Sequence, residues 1–580
     1  MLKKIFLNNI VFKDFIKNTS KTPEYILYLI IFLTIFYSYF GLWNTFFVAD
    51  VWHMLASQIL IPDYGISYLF QLFAIPHGIH FTPLGIVLSS VQTALFETSI
   101  PGYAIVSISL HYTNSLILFN IVKKLSDRKL FAFLSAIFFA TNFQIREGVF
   151  WFASNIWTQT STALTLISIY LLIRFIQTKK LRIYIVSLIL INLAVYFREY
   201  AFMILFVNIF VLIYVMLKSK LKVHNFFNAM FLSIFSIGFY VFLRMFVVTT
   251  TSAQIVKPSA LLSTNVIALS LWNIFTFPAR ILSSALIPER TVLIISEKIA
   301  KYIYFQIPIA QTDVFTTVLF FDQLNIFVGS IFLIVIFFIF VTVWKKNLVH
   351  KLPLMVIGLS FLIIPVVFIS FGDYRYWIFS RYLYMPHAIF SIFIFVLFAQ
   401  FKLFKKFNIV SFFLLISILS YIVVNMYLTN RFIASFVEVG QQRQEILQYI
   451  SSRLDFEKEH QIIYITNSKI INSGIDGTLP FQSNSGKIIF TWSYYQGNNR
   501  QLIPRCLADP QFLYLKFNEY KYCNGKGYGY FQNFSELEKL ISNRDIDPEY
   551  IKAFYYNEEN KIIEDISQKI KEKLQTKVNQ

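Results

Sequence analysis

The feature that most constrains this chain is a series of apolar runs near twenty residues long, recurring from Ile26 to Leu428. About twenty apolar residues in a helix cover roughly 30 Å of hydrocarbon, so each run is a candidate membrane crossing. In lipid a helix satisfies its own backbone and an open sheet does not. Candidate spans fall at 25–44, 103–122, 130–145, 156–176, 183–197, 200–217, 226–248, 322–344, 352–371, 385–401 and 408–428. With 56% of residues apolar and 14% charged, the composition excludes an ordinary soluble domain. The expected fold is mainly α, a polytopic membrane protein of about eleven transmembrane helices, with a small C-terminal soluble domain of α/β or α+β type.

Basic residues set the expected orientation, because Lys and Arg of short loops are retained in the cytoplasm. Lys3, Lys4, Lys13, Lys17 and Lys21 precede the first run, and basic clusters at 123–129, 179–182, 218–222, 345–351 and 402–406 mark every second loop. This places the N-terminus inside and the tail outside an integral membrane protein of the cell or plasma membrane. Asp50, Asp63, Glu97, Glu147, Glu199, Glu289, Glu297, Asp313 and Asp373 then fall outside or at the outer rim. The net charge of +20 is a topology signal and not a nucleic-acid footprint, since the tail carries nearly equal numbers of both signs.

Residues 1–24 read as a cytoplasmic arm, 25–429 as the transmembrane domain and 430–580 as an extracytoplasmic domain. The first run follows a basic arm without a small-residue cleavage site and is expected to be retained. The outer loop 45–102 has no Lys or Arg across its length and is too apolar for a free linker. Its stretches 51–60 and 84–96 suit interfacial helices. A second outer loop, 249–321, is broken by Pro258, Pro278, Pro288 and Pro308 and carries Arg280, Arg290, Lys298 and Lys301. In the tail, QIIYITN and GKIIFTW show strand-like apolar alternation. Cys506 and Cys523 lie close in sequence in a compartment where a disulfide is one of two open outcomes. No cluster of Cys, His and carboxylates has zinc spacing, and no Gly-rich phosphate loop is present.

Several stretches, taken in order, carry a resemblance. FFVADVWHML places Asp50 just after the first run. HFTPLGIVLSS is followed by PGYAIVSISLHYTNSLILF, with His111 and Asn114 in its helix. FFATNFQIREGVFWFAS contains Glu147, Val149 and Trp151, and the series ends with FREYAF, containing Glu199, and SRYLYMPHAIF. Together they resemble the multi-spanning GT-C glycosyltransferases, in particular the protein O-mannosyltransferase-like and TMTC-like branch, over roughly residues 25–400. Two departures stand out: Val51 where many relatives carry a second acid, and Thr82 where relatives carry an Arg before Pro83. The first weakens a two-carboxylate or metal-assisted mechanism and leaves dependence on a divalent metal open.

The resemblance implies inverting transfer of a sugar from a polyprenyl-phosphate donor to a protein, lipid or glycan acceptor on the outer face. Asp50 is the implied base, since a neutral hydroxyl is a weak nucleophile until a carboxylate takes its proton. The leaving lipid phosphate gains charge and needs fixed cations, which arginine forks supply. Arg244, at the end of an apolar run, and Arg381 are the first candidates, with Arg375 beside them and Glu147 and Glu199 as substrate-site carboxylates. Arg280, Arg198 and Arg146 also face outward in this reading.

Each has a plainer alternative. Asp50 can cap a helix, Arg244 can snorkel to lipid headgroups, and each Glu can serve as a structural pair or cap. His111 reads as a buried hydrogen-bonding residue, and His53 and His80 lack metal spacing. Tyr and Trp near run ends read as interfacial belts. Rival readings are an O-antigen ligase or polymerase, a transporter, for which paired repeats and midplane broken helices are not evident, and a non-catalytic scaffold.

Overall fold

The computed structural model describes residues 21–48, 50–59, 81–218, 223–251, 264–287, 289–306, 314–346, 351–363, 380–400, 409–466, 485–496, 500, 518–557, 560 and 562–578. In chain order the helices are α1 (Glu24–Ser38), α2 (Asp50–Gln58), α3 (Pro83–Phe96), α4 (Ile100–Ser126), α5 (Lys129–Thr141) and α6 (Asn155–Thr178). They continue with α7 (Leu181–Phe197), α8 (Phe202–Lys218), α9 (Val223–Thr251), α10 (Thr264–Leu286), α11 (Glu289–Gln306) and α12 (Val314–Lys346). The series closes with α13 (Lys351–Ile363), α14 (Ser380–Gln400), α15 (Ile409–Ser451), α16 (Ser485–Tyr495), α17 (Phe534–Arg544) and α18 (Ser567–Val578).

The chain forms two compact units. The first comprises Met1–Tyr39, Leu72–Leu88 and Val106–Arg431, and the second Phe40–Gln71, Ser89–Ile105 and Phe432–Gln580. Among the described residues, 8 helical segments are long and apolar enough to cross a bilayer: Glu24–Asn44, which carries α1 on through the turn after it, Ile100–Ser126 (α4), Asn155–Thr178 (α6), Glu199–Leu217, which includes the turn before α8, Val223–Met245 (α9), Phe320–Thr342 (α12), Arg381–Gln400 (α14) and Phe413–Ser451 (α15). The other three expected spans, at α5, α7 and α13, are apolar helices of 13, 17 and 13 residues. A 13-residue helix rises about 20 Å, short of the hydrocarbon thickness. Polar, irregular backbone explains two of the shortfalls, since α5 stops at Asn142 and α7 at the extended Arg198. The expected span 352–371 runs past Ile363 into residues outside those described.

Within the first unit a polar, buried helix contact joins α10 and α12. Arg280 Nε and Nη2 donate to the two carboxylate oxygens of Asp322 at 2.5 and 2.7 Å, and Ser283 donates to Asn325 at 2.8 Å. Gly329 completes the contact, because a Cβ there would collide with the Ala279 carbonyl. Arg280 is therefore a buried cation whose guanidinium is engaged by Asp322.

The second unit contains a five-stranded sheet in the order β2-β3-β1-β4-β5. Its strands are β1 (His460–Thr466), β2 (Glu519–Cys523), β3 (Lys526–Phe531), β4 (Ile551–Asn557) and β5 (Ile562–Asp565). Central β1 runs parallel to β3 and β4, and the outer strands pair antiparallel. Ile462, Ile463, Tyr464 and Ile465 are all buried, as expected of a strand covered on both faces. Leu537, Ile541, Ile570 and Leu574 of α17 and α18 pack in the same apolar core. QIIYITN is β1 as its pattern predicts, whereas GKIIFTW lies in helix α16. Short apolar runs fit either period, and packing decides between them. Cys506 lies outside the described residues, and with it the pairing question.

Candidate functional site

Residues from widely separated stretches meet in the first unit, beginning with a buried polar latch. His111 of α4 lies between the Tyr384 hydroxyl at 2.7 Å from Nδ1 and the Ala140 carbonyl at 3.0 Å from Nε2. A carbonyl only accepts, so Nε2 carries the proton, and Nδ1 of the neutral ring accepts from Tyr384. Asn114, one helical turn on, donates to the Gln159 carbonyl and to Tyr384. Gln159 Nε2 donates to the Gly148 carbonyl at 2.9 Å and to Ser107 Oγ at 3.1 Å, while Ser107 and Asn155 both donate to the Val149 carbonyl. The latch fixes the short helical turn Glu147–Phe150 against α14. Gly148 is required there, because a Cβ would sit 2.6 Å from the Tyr384 ring.

Glu147 uses that placement. Its Oε2 accepts from the backbone N–H of Arg381 at 3.3 Å. Arg381 is in the first turn of α14, where N–H groups have no intrahelical acceptor and a carboxylate is favoured by the helix dipole. Arg381 in turn stacks over Trp151, 4.8 Å from the ring centre, and over Tyr382 at 5.4 Å. Pro386 lies inside α14 and has no N–H to give to the carbonyl of Tyr382 one turn back.

The α7–α8 connection supplies the other half. Glu199 is 1% exposed, accepts from the Phe81 N–H at 2.8 Å and from the Tyr240 hydroxyl at 3.4 Å, and pairs with Arg244 Nη1 at 3.2 Å. The preceding residue, Arg198, is 3% exposed and donates from Nη2 to the Tyr200 hydroxyl at 2.8 Å. Its guanidinium faces the rings of Trp157, Tyr200 and Tyr382 at 5.9, 5.0 and 5.3 Å. Among the described residues it has no carboxylate partner, and its Nε has no hydrogen-bond acceptor. Tyr382 is thus shared by Arg198 and Arg381. Gly85 brings α3 onto this cluster, since a Cβ would lie 2.8 Å from Trp157 and 3.0 Å from the Phe197 carbonyl.

The structure therefore brings Glu147 to Arg381 and Glu199 to Arg244, with Arg198 and Tyr382 tying the α7–α8 connection to α14. Asp50 opens α2 in the second unit, and its side chain lies outside what the structure describes. Arg375 and His80 lie outside the described residues. His111 is the buried hydrogen-bonding residue its position predicts. Sequence reasoning placed Arg198 among the outer-facing arginines but behind Arg244 and Arg381, and assigned Tyr and Trp near run ends no role beyond an interfacial belt. The aromatic residues beside each arginine in FREYAF and SRYLY were the available signal. Among the described residues no three or more His, Cys, Asp or Glu come together as a metal site.

No family model matches the sequence, and no curated protein matches it. Among solved structures it is similar to the archaeal oligosaccharyltransferase AglB from Archaeoglobus fulgidus, solved in complex with an inhibitory peptide and a dolichol-phosphate. The alignment covers 91% of this chain and 69% of that chain at 13% identity, with a TM-score of 0.43.

Proposed function

We propose that this chain is a membrane glycosyltransferase of the GT-C type, moving a sugar from a polyprenyl-phosphate donor to an acceptor at the extracytoplasmic face. One observation carries the reading: apart from FFVADVWHML, the stretches on which the sequence resemblance rests meet around a cluster of arginines and aromatic rings. Phe81 and Gly85, Glu147 to Trp151, Arg198 to Tyr200, and Arg381 to Tyr384 are contiguous, although they span about 300 residues of chain.

In this reading Asp50 takes a proton from the acceptor hydroxyl or amide as it attacks the anomeric carbon. The bond from that carbon to the phosphate oxygen breaks, and its electron pair leaves on the lipid phosphate. Arg198, Arg244 and Arg381 meet the charge that grows there, and burial strengthens the contact of Arg198 most. Glu147 and Glu199 position Arg381 and Arg244. The acceptor is a protein, lipid or glycan, and the donor enters from the membrane.

The test is transfer from radiolabelled polyprenyl-phosphate sugars in membranes containing the native chain, Asp50→Asn or Arg198→Met at matched expression. Transfer by the native chain and its loss in both variants is expected. Equal transfer by all three would remove both residues from the mechanism.

A further inference from the structure

The second unit joins the segment that Asp50 opens to the C-terminal region. Phe40–Gln71 and Ser89–Ile105 belong with Phe432–Gln580 in one compact body, so these two parts of the first loop are built together with the tail. Contacts at three levels explain the union. Backbone meets backbone where Gly440 of α15 passes the segment leading to α2, leaving 2.9 Å between a Cβ at that position and Phe46. Rings then interlock, with Trp492 of α16 lying 5.5 Å from Phe46 and 6.3 Å from Trp52, and Trp52 also meeting Phe47 at 5.6 Å.

The third contact is specific. At the end of α2 the Ile59 N–H bonds to the Ala56 carbonyl, so the Leu55 carbonyl loses the donor a continuing helix would supply. The Tyr495 hydroxyl donates to that Leu55 carbonyl at 2.9 Å. Arg500 adds an ion pair to Glu97 at 2.5 Å, exposed on both sides and correspondingly weak.

We propose that α16 is a positioning element for the acceptor side of the reaction, with Tyr495 as the pin that holds α2 and so orients Asp50. The proposal rests on the reading of Asp50 as the base. Tyr495 touches neither substrate nor reacting atoms and acts through the helix it caps. The tail is then part of the catalytic apparatus and not an accessory module.

The experiment uses the full-length protein and the isosteric variant Tyr495→Phe, which keeps the ring and removes only the hydroxyl. Amide hydrogen exchange over 50–58 is expected to quicken by about fivefold to tenfold, the effect of one lost net hydrogen bond. Exchange in 106–431 should stay unchanged. With a radiolabelled polyprenyl-phosphate sugar, kcat should fall about tenfold at unchanged donor KM, as expected when orientation and not binding is lost. Unchanged exchange over 50–58, or quickened exchange with unchanged kcat, would overturn the proposal. Asp50→Asn serves as the separate control: full transfer by that variant sinks the base assignment, while the exchange data still report on the pin.

Discussion

Removing either side of the Glu199–Arg244 pair should produce unequal losses, because the two partners are differently placed. Glu199 is 1% exposed at its side chain and Arg244 25% exposed, with 3.2 Å between them. Arg244→Met strands a buried carboxylate. Breaking a buried pair from one side costs roughly 3–5 kcal/mol, and the donors left at Phe81 N and Tyr240 Oη place this case near the lower end, about 3 kcal/mol. Glu199→Gln keeps an oxygen for Phe81 N–H and leaves Arg244 within reach of water, so about 1 kcal/mol is expected. The double variant removes both charges and should cost less than the two single losses added, with a coupling of about 2 kcal/mol. Denaturant unfolding of the purified, detergent-solubilised protein measures all three. Equal losses from the single variants, or strict additivity in the double, would refute the burial argument.

Gly85→Ala should cost about 1–3 kcal/mol by overpacking against Trp157 and the Phe197 carbonyl, read as a lowered thermal midpoint. Tyr384→Phe should cost about 1–3 kcal/mol, because His111 Nδ1 and Asn114 Nδ2 both lose a partner; unfolding curves against the native chain check it. Arg280→Met alone should destabilise by about 3–5 kcal/mol in the same assay, whereas Arg280→Met with Asp322→Leu should be near neutral or better, since replacing both members of a buried pair removes their desolvation cost.

The sequence revealed the helical membrane character because hydrocarbon imposes one length and one backbone solution on every crossing. Three of the expected spans, at α5, α7 and α13, are shorter helices, two of which end at a capping or extended residue, Asn142 and Arg198. The Arg280–Asp322 pair was hidden for a different reason: the two residues are 42 positions apart in different helices, and only packing brings them together. GKIIFTW misled because its apolar spacing fits a strand, while the burial of Ile489, Phe490 and Trp492 in α16 depends on partners far away in the chain. The helices at 51–60 and 84–96 were legible as α2 and α3, but their division between two compact units was not. Local pattern carries no information about which distant segment supplies the covering surface.

Arg244 and Arg198 of the cluster are held by different means, and the difference bears on what they attract. Arg244 is matched by a carboxylate, so much of its field is cancelled at short range. Arg198 is held by three rings and one hydroxyl, with no carboxylate partner among the described residues. Cation–π contacts stabilise a guanidinium by about 0.5–2 kcal/mol each but leave its net charge intact. Near a membrane, a buried cation of this kind remains costly until an anion arrives. An incoming lipid phosphate would offset that cost most as its charge grows during bond cleavage, when a low-dielectric wall of Trp157, Tyr200 and Tyr382 strengthens the attraction. A carboxylate in place of those rings would make the same position more stable and leave less positive potential for the leaving group. If the proposed transfer is right, aromatic support for Arg198 favours transition-state charge over resting stability, and its removal should abolish transfer while costing the fold little.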